Sequence, residues 1–376
     1  MAQRQALSKE DYKLDRSSSL IGFIGIHLGC LGAIWTGVPF EAVMLGIALY
    51  VVRVFGITAG FHRYFSHRTF KTSRVFQFLL ALMGQMSLQR GVIWWAAKHR
   101  EHHRDSDTVE DAHSPLQHGF FFAHMGWVFN SKLSQADYDK VPDLTKYPEL
   151  VWLDKHKYMP GVLLGFACWL AMGWAGLVIG FFWSTVAVYH ATFAINSLAH
   201  VFGRARYLTG DESKNSAILA FFAMGEGWHN NHHYCMASTR QGFKWWEFDM
   251  TYMILRALAV FGIVWDIKEP PAHMVKGERQ LSDQLLDRLG QMVAMRFSVE
   301  DIMQKVRDRL AGSEDTTDVT AVVQEALPSP DEIHSTASRF LARTEELKDV
   351  AMRAHRHLAN TVSEKIANQD AFVKAA

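Results

Sequence analysis

Apolar residues in this chain of 376 residues gather in long blocks, not in the alternating or heptad patterns of a soluble core. Leu20 to Thr36 carries no charge and is about as long as a helix must be to cross a bilayer. Thr36-Gly37-Val38-Pro39 then marks a tight turn, and Ala42 to Ala59 forms a second block interrupted only by Arg53. Further on, Gly161 to Gly203 holds no Asp, Glu, Lys or Arg. That stretch is too long for one crossing and suits two, with Gly173-Trp174-Ala175-Gly176 as the turn. The pattern predicts four transmembrane helices in two hairpins, over about residues 20–36, 42–59, 158–173 and 177–201. Val75 to Ala97 is also apolar but is broken by Gln85, Gln89 and Arg90. Polar groups facing lipid are costly, so this stretch is expected to lie on the membrane surface or dip into it.

Charge then sets the orientation. The turns inside the two hairpins hold almost nothing charged except Glu41, while the N-terminus, the middle region and the tail carry essentially all the Lys and Arg. Flanks rich in Lys and Arg face the cytoplasm, which puts both termini and the bulk of the protein there. The first nineteen residues are polar and mixed in charge, and no small-residue cleavage site follows the first apolar block, so it reads as a retained span. Past Lys268, Glu269-Pro270-Pro271 breaks the pattern. Leu281 to Ala294, Val299 to Leu310 and Ile333 to Asn360 then show apolar residues at helical spacing among many charges. Two parts are expected: a membrane domain over residues 1–268 and a soluble helical extension over 269–376.

Composition removes several classes of function. A net charge of +1 offers no basic footprint for nucleic acid. Three scattered cysteines, Cys30, Cys168 and Cys235, argue against disulfides, iron–sulfur clusters and zinc ribbons.

Histidine changes the picture. The chain has 19 of them, and nine stand at the predicted cytoplasmic ends of apolar segments: His62, His67, His99, His102, His103, His200, His229, His232 and His233. In H-x-x-H-H on a helix the second and third rings lie at about −60° and +40° from the first, so all three can face one place. Asn196 and His200 lie about 40° apart, whereas His62 and His67 are about 140° apart on a regular helix and need a distortion to converge. Imidazole suits Zn, Cu, Fe and Ni, and nine ligands exceed one ion but fit two. A single histidine at a membrane edge is an ordinary hydrogen-bonder, and His27, His118, His124, His156 and His190 are read that way. His113 is given a packing role near the site. The expected fold is all-α and integral to the membrane, with a cytoplasmic helical cap that carries a histidine-rich di-metal site.

At these residues the chain resembles the membrane-bound acyl-CoA desaturases of the stearoyl, delta-9 type, from roughly residue 50 to 268. The first box is Thr58-Ala59-Gly60-Phe61-His62-Arg63-Tyr64-Phe65-Ser66-His67-Arg68. The second is His99-Arg100-Glu101-His102-His103, followed by Ser106-Asp107-Thr108 and His113-Ser114-Pro115. Asn196-Ser197-Leu198-Ala199-His200, Gly210-Asp211-Glu212-Ser213-Lys214-Asn215 and Gly225-Glu226-Gly227-Trp228-His229-Asn230-Asn231-His232-His233 complete it. The resemblance implies that the nine histidines hold two non-haem irons, with Asn196 reaching one through water. It also implies a cis double bond at the ninth carbon of a saturated acyl chain, carried most naturally by CoA.

An unactivated methylene C–H lies beyond any side-chain acid or base, and activated dioxygen on iron supplies the needed oxidant. The acyl chain would then need an apolar tunnel, for which Trp94, Trp95, Trp127, Trp152 and Trp228 are candidates, with Arg63, Lys98, Arg100 and Arg104 near its mouth. No His-Pro-Gly-Gly haem motif is present, so electrons are expected from a separate ferredoxin-like or small cytochrome donor with its reductase. Two other readings compete: a membrane di-iron hydroxylase of acyl or alkyl chains, and a non-catalytic membrane metal binder.

Overall fold

The computed structural model describes residues 18–276 apart from 109, 131–132, 134–136 and 208, and beyond them only isolated positions between 291 and 362. The chain divides into two compact units, Met1–Tyr207 with Asp211–Glu278, and Leu208–Gly210 with Arg279–Ala376. The helices foreseen between Leu281 and Asn360 fall almost wholly outside the described residues.

Among the described residues the first unit is built from helices, with one two-stranded antiparallel ribbon pairing Lys71–Thr72 (β1) with Val264–Trp265 (β2). Helix α1 (Ser18–Gly29) runs on through a 3₁₀ turn to Thr36, and α2 (Phe40–Phe55) follows it. Gly37, at φ 67°, makes the turn between them, a left-handed conformation that favours glycine. The second long apolar block forms α3 (Met159–Ala175), a π-helical segment Gly176–Trp183 and α4 (Ser184–Val201). Its helical geometry breaks at Met172 and Gly173, the latter at φ 57°. That is where the sequence placed its turn.

Among the described residues, two helical stretches are long and apolar enough to cross a membrane, Phe40–Ser66 and Met159–Val201; Leu20–Thr36 is apolar but shorter. Ile21, Leu28, Ile34 and Trp35 on the first helix, and Val162, Leu163, Phe166 and Leu170 on α3, are exposed. Helices that are apolar all round and expose such side chains are suited to lipid.

One boundary differs from expectation. The second block does not end at Ala59 but continues as helix to Ser66, its last eleven residues π-helical. Polar His62, Arg63 and Ser66 mimic a span end in the sequence, yet all three are buried. Val75 to Ala97 forms two helices, α5 (Arg74–Gln85) and α6 (Val92–Asp105). The break falls at the three polar residues: Leu88 and Arg90 take positive φ, and buried Gln85 donates to the Leu153 carbonyl and accepts from the Val92 amide. The core below lies around Phe61, Phe65, Leu80, Ile93, Leu144, Leu150 and Leu153, all fully buried.

Candidate metal centre

Four helix segments deliver the nine histidines. The π segment is the unusual one. Its i→i+5 bonding brings residues five apart nearly into line, and the His67 amide indeed donates to the His62 carbonyl at 3.2 Å. That is the distortion His62 and His67 require. Helix α6 carries His99, His102 and His103, α4 carries His200, and α7 (His229–Tyr234) carries His229, His232 and His233.

The rings sort into two groups, His62, His67, His99, His103 and His232 in one, and His102, His200, His229 and His233 in the other. In each group one nitrogen per residue lies within 4.8 Å of every other. The expectation that each H-x-x-H-H motif faces one place is therefore corrected. Each motif splits: its i, i+4 pair serves one group and its middle histidine crosses to the other. A residue three further along a helix lies about 60° from the first member of the pair and about 100° from the second, enough to reach a neighbouring centre. The groups adjoin, with the His103 and His233 rings 4.4 Å apart.

The donor set fits metal ions better than it fits hydrogen bonds. In the larger group the Nε2 atoms of His62 and His232, His232 and His103, and His67 and His99 are 2.9 Å apart, and those of His103 and His99 are 3.0 Å apart. An imidazole nitrogen carries either one hydrogen or one lone pair, enough for a single good hydrogen bond. Chained through shared atoms, these contacts cannot all be hydrogen bonds, whereas lone pairs aimed at a common cation satisfy every one. Ligands about 2.1 Å from an ion and at right angles stand about 3.0 Å apart, against about 3.4 Å in a tetrahedron. The spacing matches the former and disfavours a closed tetrahedral zinc site. In the smaller group His200 Nε2 and His229 Nε2 are 3.0 Å apart, and the buried Nε2 of His233 has no hydrogen-bond partner.

Carboxylates hold the rings by their other nitrogen. Nδ1 of His102 donates to Asp111 at 3.1 Å, that of His200 to Asp107 at 2.8 Å and that of His233 to Asp211 at 2.7 Å, while His62 Nδ1 meets Glu226. Each contact places the hydrogen on Nδ1 and leaves Nε2 free as a ligand. Burial, reinforced by neighbouring imidazoles, holds His99, His103, His229 and His232 well below the ordinary histidine value, so these rings are neutral. Burial pushes the Asp211 carboxyl up, but His233 and the hydrogen bonds around it outweigh this and hold it well below its usual range. These four carboxylates were not singled out in the sequence, although Asp107, Asp211 and Glu226 sit within the quoted motifs.

The remaining candidates are placed as follows. Asn196 lies one turn before His200 on α4. Trp95 stacks on His99 at 4.7 Å, and Trp127 lies 4.6 Å from His113 and 5.7 Å from Trp94. His113 in turn packs 4.3 Å from His102. Trp228 is buried and donates to the Phe248 carbonyl at 2.8 Å, while Trp152 is 47% exposed and stands over His156, apart from both histidine groups. Arg63 is fully buried between Asp249 at 3.0 Å and Glu226 at 3.2 Å, an interior position and not a tunnel mouth. Lys98 pairs with Glu101 at 3.1 Å and Arg104 with Asp105 at 2.5 Å. Arg100 grips Asp143 and donates to the carbonyls of Phe65 and Ser66. Two apolar cavities of about 610 and 590 Å³ lie among the long helices, the first walled by Phe23, Gln89, Phe129 and Tyr189, the second by Tyr50, Ile179, His190 and Phe222. None of the nine clustered histidines and none of the tryptophans just named lines either one.

Two adjoining histidine groups beside long apolar helices define a candidate metal centre in a membrane-associated protein. The chain belongs to the fatty acid desaturase family, whose pattern matches residues 36–266. It is 38% identical over 249 residues to the sn-1 stearoyl-lipid 9-desaturase of Anabaena variabilis, covering 65% of this chain and 91% of that one. It is 36% identical over 254 residues to the acyl-CoA C20 Delta5-desaturase of Anemone leveillei, covering 65% and 80%. To the chloroplastic palmitoyl-monogalactosyldiacylglycerol delta-7 desaturase of Arabidopsis thaliana it is 39% identical over 240 residues, covering 62% and 64%. These relatives differ in acyl carrier and in double-bond position.

Proposed function

We propose that the protein introduces a cis double bond at the ninth carbon of a saturated acyl chain, most simply an acyl-CoA, using dioxygen and electrons from an external carrier. The observation that carries this reading is the pair of adjoining histidine groups, five and four nitrogens strong, with ligand-like spacing. Two irons fit there, one in each group, with Asn196 completing the smaller through water. Iron so held supplies an oxidising power, drawn from dioxygen, that no side chain has. The chain's own residues do the rest. Asp107, Asp111, Asp211 and Glu226 fix ring orientation and tautomer. Neutral, desolvated imidazoles keep their lone pairs for metal. Trp95, stacked on His99, is placed to meet an acyl chain at the larger group, with Trp94, Trp127 and Trp228 as further contacts. Lys98 is a candidate for an anionic carrier, and Arg63 contributes through Glu226.

The reading extends to topology: four spans in two hairpins, with the metal centre and both termini on the cytoplasmic side, where a ferredoxin-like or small cytochrome donor docks. Expression in a desaturase-deficient host, with mass-spectrometric location of double bonds in CoA and lipid fractions, tests it. A fixed distance from the carboxyl end supports carrier anchoring; a fixed distance from the methyl end refutes it. An alcohol product would indicate hydroxylation.

A further inference from the structure

Away from the nine clustered histidines, three others form a chain inside the apolar helices. His27 on α1 donates through Nδ1 to the Phe23 carbonyl at 2.8 Å, and its Nε2 meets His190 Nε2 on α4 at 3.1 Å. His190 Nδ1 meets Nε2 of His124, on the short helix Phe120–His124, at 3.0 Å. Nδ1 of His124 meets the Ser197 hydroxyl at 2.9 Å, and Ser197 reaches the Phe193 carbonyl at 3.0 Å. Ser197 is fully buried, follows Asn196 and precedes His200 by one turn. In the sequence alone these three histidines stand isolated, because 163 and 66 residues separate the partners.

Counting hydrogens shows what is unusual. The chain has five contacts and ends at both sides on carbonyls, which only accept. Three neutral imidazoles and one hydroxyl supply four hydrogens. One contact must stay empty, or the chain must hold one extra proton shared among three rings. Burial opposes that charge and lowers His124 below the ordinary histidine value, repulsion from His190 adds to it, and a hydrogen bond to the Phe193 carbonyl works the other way. Aromatic faces favour it: Phe23 lies 4.2 Å from His27, and Phe120 is stacked 5.8 Å from His124. The other titratable or charged groups on the packed elements are Tyr189 and His200 on α4, Glu41, Tyr50 and Arg53 on α2, and His118 beside the short helix. No Asp or Glu lies on α1, α4 or Phe120–His124 to neutralise a cation. Ionisable residues inside membrane helices are expensive and point to function.

We propose that Ser197, His124, His190 and His27 form a proton-holding relay that opens beside Asn196 and supplies the metal centre. The proposal rests on the desaturase reading for its destination. In desaturation two C–H bonds break and a second carbon–carbon bond forms. The two hydrogens removed, two protons from solvent and two electrons from the external one-electron carrier reduce dioxygen to two waters. The relay holds a proton in reserve for that reduction, acting by position and not as a ligand.

Two measurements test it. Zinc-loaded full-length chain with ¹⁵N-labelled histidine, in lipid nanodiscs, should show one imidazolium signal near neutral pH. His190→Gln and, separately, His27→Gln should remove it. This arm does not depend on the reaction. In the iron-loaded enzyme, His124→Gln should keep its iron, yet form at least about threefold fewer double bonds per dioxygen consumed, with peroxide released and an altered solvent deuterium isotope effect. Absence of imidazolium in the unmodified chain overturns the proposal, as does unchanged coupling in His124→Gln. If all three glutamine variants shed iron together with activity, the chain is a brace and the relay is wrong. An unmodified enzyme that oxidises no acyl chain sinks the desaturase reading, and the proton's destination with it.

Discussion

At the scale of single residues, the division of the histidines makes a sharp expectation. His102 belongs with His200, His229 and His233, although its neighbours in sequence, His99 and His103, belong to the other group. His102→Ala should therefore behave like His229→Ala, and His99→Ala like His232→Ala. The smaller group is left with three nitrogens, so the first two variants should hold about one iron per chain by elemental analysis while losing turnover. Equal iron loss from His99→Ala and His102→Ala would contradict the partition. The carboxylates behind the rings should matter nearly as much. Outer partners of metal-bound histidine are typically worth about 10–100-fold in affinity or activity, and Asp111→Asn and Asp211→Asn should each cost that much. A chelator titration of bound iron, read with turnover, checks it. The histidine boxes were legible because their residue type and spacing recur. Their carboxylate partners were not, because Asp107 meets His200 across 93 residues, a contact only the fold creates.

At the scale of elements, the π segment and α6 must keep a fixed register for His62, His67, His99 and His103 to converge. Arg100 sets it. Its guanidinium donates to the Phe65 and Ser66 carbonyls at 2.8 and 3.0 Å and to both oxygens of Asp143, which also binds Arg68 at 2.8 Å. Burial pushes the Asp143 carboxyl up, but the two arginines win and hold it at about 2. The sequence suggested Arg100 as a surface charge for an anionic carrier; the structure shows it capping a helix end. Lysine offers no planar fork, so Arg100→Lys should lower both iron retention and melting temperature. Iron content and a thermal melt check this. The folded Asp143 value lies below the unfolded one of about 3.9, so its contribution is present above that pH and fades as pH falls towards 2. Asp143→Asn should be less stable near neutrality, with the difference closing only in that acid window. Asp143 is 36% exposed, so the effect is modest. The need for a distortion between His62 and His67 was legible from a 140° arithmetic mismatch. That a π turn supplies it was not, since π geometry depends on packing against α5 and α6.

At the scale of the whole molecule, the question is where the metal-bearing unit ends. The Glu269-Pro270-Pro271 breaker suggested residue 268, and the two turns read from the apolar blocks fall where Gly37 and Gly173 take positive φ. Contacts carry the first unit further. The Thr239 amide donates to the Lys268 carbonyl and the Lys268 amide to that of Thr69, tying the segment after β2 to the loop that follows the π segment. Beyond the prolines, the short helix Ala272–Lys276 packs Met274 and Val275 against Tyr207, Tyr234 and Phe243, and the Tyr207 hydroxyl donates to the Met274 carbonyl at 2.6 Å. Tyr234 closes α7, the helix of His229, His232 and His233, so this small apolar cluster buttresses the ligands directly. Two apolar residues at 274 and 275 gave no periodicity by which to see this in the sequence. A chain cut after Glu278 should keep both irons and the melting temperature of its membrane unit. A cut after Lys268 removes the Met274 and Val275 contacts and should lose iron, by the logic of a large-to-small change in a packed core. Iron per chain and thermal melting of the two truncations in detergent decide it. Equal iron in both would show that the cluster under α7 is dispensable, and iron lost from both would place part of the metal-bearing unit beyond residue 278.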